Sequence, residues 1–448
     1  MIARIEPGRL CGSVMAPPSK SYAQRLLIGA ALSGGKSVIS GISESEDMGA
    51  ALDCIKSLGA EAFREGGSVV ITGRKAPDPG PVQDVLPEGG AVARPGGPES
   101  VSDNYVIFPC RESGNTLRFF IPISLCFFDK VCFTGSGRLM ERGISVYEEL
   151  FASRGIAVKR GKGPACAVGV SYEGDKVSEG NEEAVYIDGS LTCGEYELRG
   201  DISSQFVTGL LFSLPLLTGD SRLKVLPPVE SRAYIDITID VLRSFGIEIK
   251  EEEENSFYIK GGQRYLNRDA QVEGDWSNAA FLYAFNSLGH KLMIGGLNSG
   301  SIQGDRRCVK LFEELDEESP GIDISDCPDL GPVLFAVAAA KNGGFFTGTR
   351  RLRLKESDRV AAMAAELKKF GAETEIGENS VTVKGTKLSR PKQMLYGHND
   401  HRIVMALSVL LTLTGGEIEG VQAVRKTWPD FFEEMEKLSM KVQLINET

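Results

Sequence analysis

Four times along the chain a segment of helical hydrophobic period ends on a glycine and passes directly into a short alternating run: ALDCIKSLGAEAF, YEELFASRGIAVKR, IDVLRSFGIEIK and MAAELKKFGAETEI. The glycines, Gly59, Gly155, Gly246 and Gly371, stand where a helix C-terminus takes a left-handed residue, and the alternation after each supplies a strand. Repetition of one hydrophobic frame predicts an α/β protein assembled from several similar units. The spacing is uneven, which excludes a solenoid of fixed period. At 448 residues the chain exceeds one ordinary core, so two large domains are expected.

A hydrophobic fraction of 42% with 25% charged residues is that of a folded globular protein. Residues 75–102, which begin KAPDPGPVQDVLPEGG, follow neither period and read as a surface insertion. The acidic runs at Glu251 and near Glu313 read as solvated turns and helix faces. The N-terminus lacks the apolar stretch of a secretory signal, and the apolar runs Val333 to Ala340 and Met405 to Leu413 are far shorter than the roughly 20 residues that cross a bilayer. A cytoplasmic protein without a membrane partner is expected. Nine cysteines with no CxxC pair fit reduced, buried thiols rather than disulfides, and His401 has no partner at metal-ligand spacing, so no metal is predicted. A net charge of -11 argues against a nucleic-acid partner. If the ligands are anions, a local basic cluster must capture them.

Several segments offer such a cluster. In APPSKSYAQRLLIGAAL, Ser19 can cap a helix starting near Lys20, on which Ser21 and Arg25 share a face. In CRESGNTLRFFIPIS, Gly114 opens an apolar helix whose free N–H groups can meet an anion, and GSGRLMERGISV follows with Arg138 and Arg142. Ser203, Ser204 and Gln205 stand at the start of one helix, and Ser231, Arg232 and Tyr234 at the start of another; both groups serve equally well as phosphate donors or plain caps. In RLRLKESDRVAAMAAELKKFG, Lys355, Glu356, Asp358 and Arg359 crowd into what reads as one helical turn, with Lys355 and Arg359 four apart on one face. Glu356 among cations and a bound anion is placed to trade protons. Asp400, His401 and Arg402 precede another apolar helix, and Lys426 precedes Thr427 and Trp428.

Taken in order, KSYAQR, SGNTLR, RLMER, SSQF, SRAYIDIT, EGDWSNAA, LKESDR, NDHR and KTWPDFF resemble the EPSP synthase family over almost the whole length. The resemblance implies the enolpyruvyl transferase fold: two similar domains, each of three βαβαββ units, with the active site in the cleft between them. It puts residues 1–18 and 273–448 in a phosphoenolpyruvate-side domain and 19–272 in a shikimate 3-phosphate-side domain. It implies transfer of the enolpyruvyl group to the 5-hydroxyl of shikimate 3-phosphate through a tetrahedral intermediate, with no cofactor and a monomeric enzyme. Ser21, Arg25, Ser203, Ser204, Gln205, Ser231, Tyr234, Asp329 and Lys355 match the family's contacts to shikimate 3-phosphate. Lys20, Gly114, Arg142, Gln205, Arg359, Arg402 and Lys426 match those to phosphoenolpyruvate. Lys20, Asp329 and Glu356 match its proton-handling residues.

The chain departs from the family pattern at Glu112 and Asn115, in a motif that many members write N-[AS]-G-T, at Gly143, where a proline is usual, and at Arg351, where several have Asn. These departures bear on affinity rather than reaction class. Two rival readings are opposed by the sequence. The sister UDP-N-acetylglucosamine enolpyruvyltransferases usually carry a Lys-Asn pair and a loop cysteine, against Lys20-Ser21 and the cysteine-free stretch Arg138 to Arg142 here. A silent anion-binding homologue is opposed by intact Lys20, Asp329, Glu356 and Lys426.

Overall fold

In the computed structural model, which describes residues 1–74, 105–163 and 183–446, all four helix-glycine-strand segments are present; the Pro/Gly-rich segment 75–102 lies outside the described residues. Helices Glu46–Ser57, Ser145–Ala152, Arg232–Ser244 and Arg359–Lys369 are followed by glycines whose φ lies between +72° and +95°. Glycine takes such angles without a Cβ clash, and the chain turns there into the strands Glu61–Glu65, Ala157–Lys162, Ile249–Glu253 and Thr374–Ile376. A fifth member of the series lacks the glycine: helix Phe431–Lys437 turns at Ser439, φ +74°, into Val442–Ile445.

Each of these strands forms one edge of a four-stranded sheet, and the sheets share one order. Val106–Pro109 runs parallel to Lys130–Thr134, which pairs antiparallel with Glu183–Asp188, itself antiparallel to the edge strand Ala157–Lys162. In chain order this is βαβαββ. Units spanning residues 106–188, 194–259 and 321–383 are continuous in sequence. Two more are completed from afar: Ala270–Gln271 joins Lys36–Ser40, and Ile2–Ile5 sits between Gly416–Glu419 and Val442–Ile445. The sixth departs from the expected full unit, being a parallel pair of Cys11–Met15 and Lys291–Gly295. The cause is local: after helix Cys308–Glu314 the chain enters Gly321–Asp323, which belongs to the next sheet, and leaves no hairpin for this one. The acidic run at Glu251 is likewise an edge strand rather than a turn, with Glu251 bound to Arg232 at 2.8 Å. Charge on such an edge discourages pairing with other chains.

Buried apolar side chains form two clusters, one drawn from Ala23 to Val272, the other from Ala3 to Val14 together with Trp276 to Met440. The chain passes from one to the other along two adjacent segments: Pro18 bridges Gly274, Ser19 donates its N–H to the Glu273 carbonyl and Asp275 to that of Pro17, both at 2.8 Å. Within each half the innermost helices are buried on almost every face. Gly331–Ala340 is buried at nine of its ten positions and Gly114–Ser124 at ten of eleven. Such helices cannot face water and must be surrounded, which fixes the layering of the units about them.

Gly209 marks the closest of these approaches. A Cβ there would lie 2.6 Å from the Arg118 carbonyl and 2.8 Å from the Pro122 ring, with the Tyr147 hydroxyl also in the way. Gly209→Ala is expected to cost about 1–3 kcal/mol by overpacking and to lower the denaturant midpoint. An unchanged midpoint would contradict this account of the helix contact.

Candidate active site

Because the units repeat, their helices begin on the same side of each half, and the helix starts of the two halves meet at one crevice. Lys20 and Ser21 open Lys20–Leu32, Ser204 and Gln205 open Ser204–Ser213, His401 and Arg402 open His401–Thr414, and Arg359 opens Arg359–Lys369; all line the crevice. Free N–H groups and the positive end of the helix dipole make such starts favourable to anions. Local chemistry stops each helix there: Ser19, Ser203, Asp358 and Asp400 are N-caps whose side chains accept N–H bonds from the first turn.

Lys20, Ser21, Arg25, Arg142, Ser203, Ser204, Gln205, Ser231, Tyr234, Asp329, Lys355, Glu356, Arg359 and Arg402 line this crevice together. Gly114 lies against it, where a Cβ would come 2.9 Å from the Arg142 guanidinium. Lys426 stands to one side, its Nζ 2.5 Å from Glu112 and 2.8 Å from the Asn399 carbonyl. One expectation about local structure is corrected. The helix starts at Arg359, where Asp358 caps it, so Lys355 lies before it in an extended conformation and the two cations are not helical i, i+4 neighbours. They meet instead on one carboxylate oxygen: Asp329 Oδ1 lies 2.8 Å from Arg359 and 3.2 Å from Lys355.

The charges are tightly interlocked. Arg359, 1% exposed, also binds Asp400 at 2.8 Å and Glu356 at 2.7 Å, and Arg402 reaches Asp329 Oδ2 at 3.3 Å. Burial works against ionised Asp329, but Arg402, Lys355 and Arg359 outweigh it and hold the carboxyl well below its ordinary range. Glu356 is held low in the same way, burial being overridden by Arg359 and by Arg142, 3.7 Å away across the crevice. Burial brings Lys355 down to about 8 despite Asp329. Lys20 is raised: burial disfavours its charge, and Asp47, at 2.9 Å, together with Glu356 more than offsets this. Burial and the charges of Lys20 and Arg402 keep the His401 ring neutral.

On the other wall Arg25 is 2% exposed and gives hydrogen bonds to Thr238, Thr208 and the carbonyls of Ser21 and Tyr234. Several contributors are not among the expected site residues, although Arg351 is one of the departures from the family pattern. Arg118, buried in an apolar helix, donates to Gln205 at 2.5 Å and to the Arg142 carbonyl at 3.0 Å. Arg351 crosses from the other half to the Ser231 hydroxyl at 2.8 Å and the Ile202 carbonyl at 3.1 Å. Asp275 accepts the Lys20 N–H at 3.0 Å, and Asp305 accepts the Tyr234 hydroxyl at 3.1 Å. An arginine inside an apolar helix was the available signal for Arg118, and Asp275 lies in the EGDWSNAA motif; Asp305 has none, since one turn aspartate looks like another.

Comparison with known proteins gives the family. Residues 5–85 and 81–435 match the family described as EPSP synthase (3-phosphoshikimate 1-carboxyvinyltransferase). The chain belongs to the EPSP synthase family. Among its relatives, the 3-phosphoshikimate 1-carboxyvinyltransferase of Clostridium perfringens (strain SM101) is 37% identical over 97% of each chain, and that of Clostridium kluyveri 36% identical over 98% of this chain and 97% of its own. The EPSP synthase of Acinetobacter baumannii superposes with a TM-score of 0.71 over 99% of this chain and 100% of that one, at 21% identity. The enolpyruvyl transferase NikO of Streptomyces tendae gives 0.68 over 99% and 98%, at 14% identity. The chain therefore has the enolpyruvyl transferase fold.

The low value of Lys355 generates a test. Above about pH 8 this ammonium becomes neutral and the crevice loses a cation. Sulfate, whose charge is constant over this range, should bind more weakly at about pH 9 than at about pH 7, and Lys355→Arg should abolish the difference. Calorimetric titration showing a flat wild-type response would reject it.

Proposed function

We propose that this chain transfers the enolpyruvyl group of phosphoenolpyruvate to the 5-hydroxyl of shikimate 3-phosphate and releases phosphate. The observation that carries the reading is the convergence of Lys20, Arg142, Lys355, Arg359 and Arg402, from distant parts of the sequence, on one crevice fed by helix starts. A net charge of -11 would otherwise repel both substrates. Residues 19–272 form the side that takes shikimate 3-phosphate, and residues 1–18 with 273–448 the side that takes phosphoenolpyruvate. The enzyme is read as a cytoplasmic monomer with no nucleic-acid or membrane partner, in keeping with that charge and with no helix among the described residues being long and apolar enough to cross a membrane.

Ser203, Ser204, Gln205 and Ser231 meet the shikimate phosphate, Ser21, Arg25 and Tyr234 the ring and carboxylate, and Asp329 with Lys355 the hydroxyl side. Lys20, Gly114, Arg142, Gln205, Arg359, Arg402 and Lys426 surround phosphoenolpyruvate. In the addition step protonated Glu356 gives its proton to the methylene carbon, the 5-hydroxyl oxygen bonds to the neighbouring carbon, and Asp329 takes the hydroxyl proton. Elimination then breaks the bond to phosphate, Glu356 takes back a methyl proton, and the proton held by Asp329 leaves on the phosphate. Glu356 changes character on binding: its charge depends on Arg359 and Arg142, and an incoming anion competes for both cations, which raises its affinity for a proton. Lys20 stays cationic and, with the arginines, stabilises developing negative charge. Closing two halves on two substrates also supplies much of the rate by orientation.

Phosphate release should appear with phosphoenolpyruvate plus shikimate 3-phosphate and not with UDP-N-acetylglucosamine as acceptor; the opposite preference would assign the sister reaction, and none at all a silent homologue. Glu356→Gln should lower kcat by about a hundredfold or more while leaving both KM values within a few-fold, as loss of a proton donor requires; equal loss in binding would make it a positioning group. Glu112 occupies Lys426 before substrate does, so Glu112→Gln should lower the KM for phosphoenolpyruvate by up to about fivefold, the equivalent of the ~1 kcal/mol of a partly exposed ion pair. A raised KM would mean that Glu112 orients Lys426 instead.

A further inference from the structure

The Tyr234 hydroxyl lies between two carboxylates, 3.1 Å from Asp305 Oδ2 and 3.4 Å from Asp329 Oδ2. A phenol has one proton and can serve only one of them at a time. If both are ionised, one oxygen faces the phenol's lone pairs unsatisfied. A single added proton satisfies all three groups: a protonated Asp305 donates to Tyr234, which donates to Asp329, or the same chain runs in reverse. The two arrangements differ only in the place of that proton.

We propose that Asp305 stores the proton of this reaction, receiving through the Tyr234 hydroxyl the proton that Asp329 takes from the attacking substrate hydroxyl. The inference rests on the reaction proposed above. Breaking the substrate O–H bond puts its proton on Asp329. Asp329 passes it to the Tyr234 oxygen as the phenol's own proton moves to Asp305, and reversal returns it through Asp329 to the departing phosphate. No further reactant is consumed.

The direction follows from surroundings. Asp329 is ringed by Lys355, Arg359 and Arg402 and is a poor place to keep a proton. Asp305 sits in the turn Gly304–Arg307 at 4% exposure, and its Oδ1 has no partner of normal geometry among the described residues, although Ser277 lies close enough to favour the charge. It faces Asp329 from Pro328–Leu330, Asp275 from the start of Trp276–Ser287, Arg402 from His401–Thr414 and Tyr234 from Arg232–Ser244, with the Cys308 and Cys327 thiols nearby. Only Arg402 among these favours its charge strongly. Burial and the Asp329 charge raise the Asp305 carboxyl to about 6. Two adjacent carboxyls pushed apart in this way assign one as the acceptor that reacts and the other as the one that keeps the proton.

The test is the pH dependence of kcat for wild type, Asp305→Asn, Tyr234→Phe and the double variant. Wild-type kcat should fall as pH drops through about 6, because Asp305 is then protonated at rest and cannot receive. Asp305→Asn keeps a hydrogen bond to Tyr234 but cannot store a proton, so kcat should fall at least about tenfold, both KM values should stay within about twofold, and the limb near pH 6 should vanish. Tyr234→Phe should give a similar kcat loss, and the double variant should be no worse than either. An unmoved limb in Asp305→Asn, or losses that multiply in the double variant, would overturn the inference, since a merely structural aspartate behaves so. If Asp305→Asn fails to fold, Tyr234→Phe decides: it cuts the route with Asp305 in place, and wild-type kcat there would overturn it. A wild type that releases no phosphate from the two substrates would instead sink the reaction, and this inference with it.

Discussion

The burial of Arg359 is the interaction on which the rest of the site depends. Its guanidinium is held by Asp329, Glu356 and Asp400 at 2.7 to 2.8 Å with 1% exposure. Its charge is sustained against burial by these carboxylates, and theirs by it. Removing one partner of such a buried set leaves an uncompensated charge and costs about 3–5 kcal/mol. The interaction therefore fixes geometry as well as charge. Asp400 is simultaneously the cap of His401–Thr414, so Arg359 ties the start of one buried helix to the start of another, and Asp329 ties both to the turn before Gly331–Ala340.

A second set of contacts spans the two halves. Glu112 binds Lys426 and Asn399, Arg351 binds Ser231, and Arg142 faces Glu356. Protein carboxylates here occupy Lys426 and Arg142, and Arg351 occupies the Ser231 hydroxyl, all groups that the proposed reaction needs for substrate. Closure without substrate and binding of substrate thus draw on the same charges, and the balance between them sets affinity. His398 and Asn399, both at positive φ although neither is glycine, hold the Asn399 carbonyl towards Lys426. Strain of that kind persists where the surroundings over-determine it, and here it lies beside the crevice. Glu112 and Arg351, two positions where the chain departs from the family pattern, are both bridging residues, which places the chain's individuality in how its halves meet.

Much of this was legible in the sequence, for identifiable reasons. Helix-glycine-strand is a local signal, because a left-handed turn after a helix needs glycine whatever surrounds it; Gly59, Gly155, Gly246 and Gly371 exposed the repeat, and Ser439 concealed its fifth member. Caps are local too, so Ser19 and Ser203 marked their helices correctly. Lys355 was misplaced because a cap three residues on, Asp358, decides where the helix starts. The pairing of Cys11–Met15 with Lys291–Gly295 in the sixth unit, the strand Ile2–Ile5 inserted into a distant sheet, and the meeting of Tyr234 with Asp305 and Asp329 depend on contacts between residues far apart in the chain. No local pattern encodes those.

The repeat itself explains why the cations lie so far apart in sequence. A βαβαββ unit delivers helix starts to one side of its sheet, and each start offers room for one or two polar side chains before the apolar helix begins. No single unit can supply enough positive charge to hold two anions. Two sets of units facing each other can, because each adds a Lys20, an Arg359 or an Arg402 at its own helix start while the helix behind it builds the core. The apolar run that stabilises a half and the cation that serves the crevice are consecutive residues of one helix, so substrate affinity and core packing cannot be varied independently in this architecture.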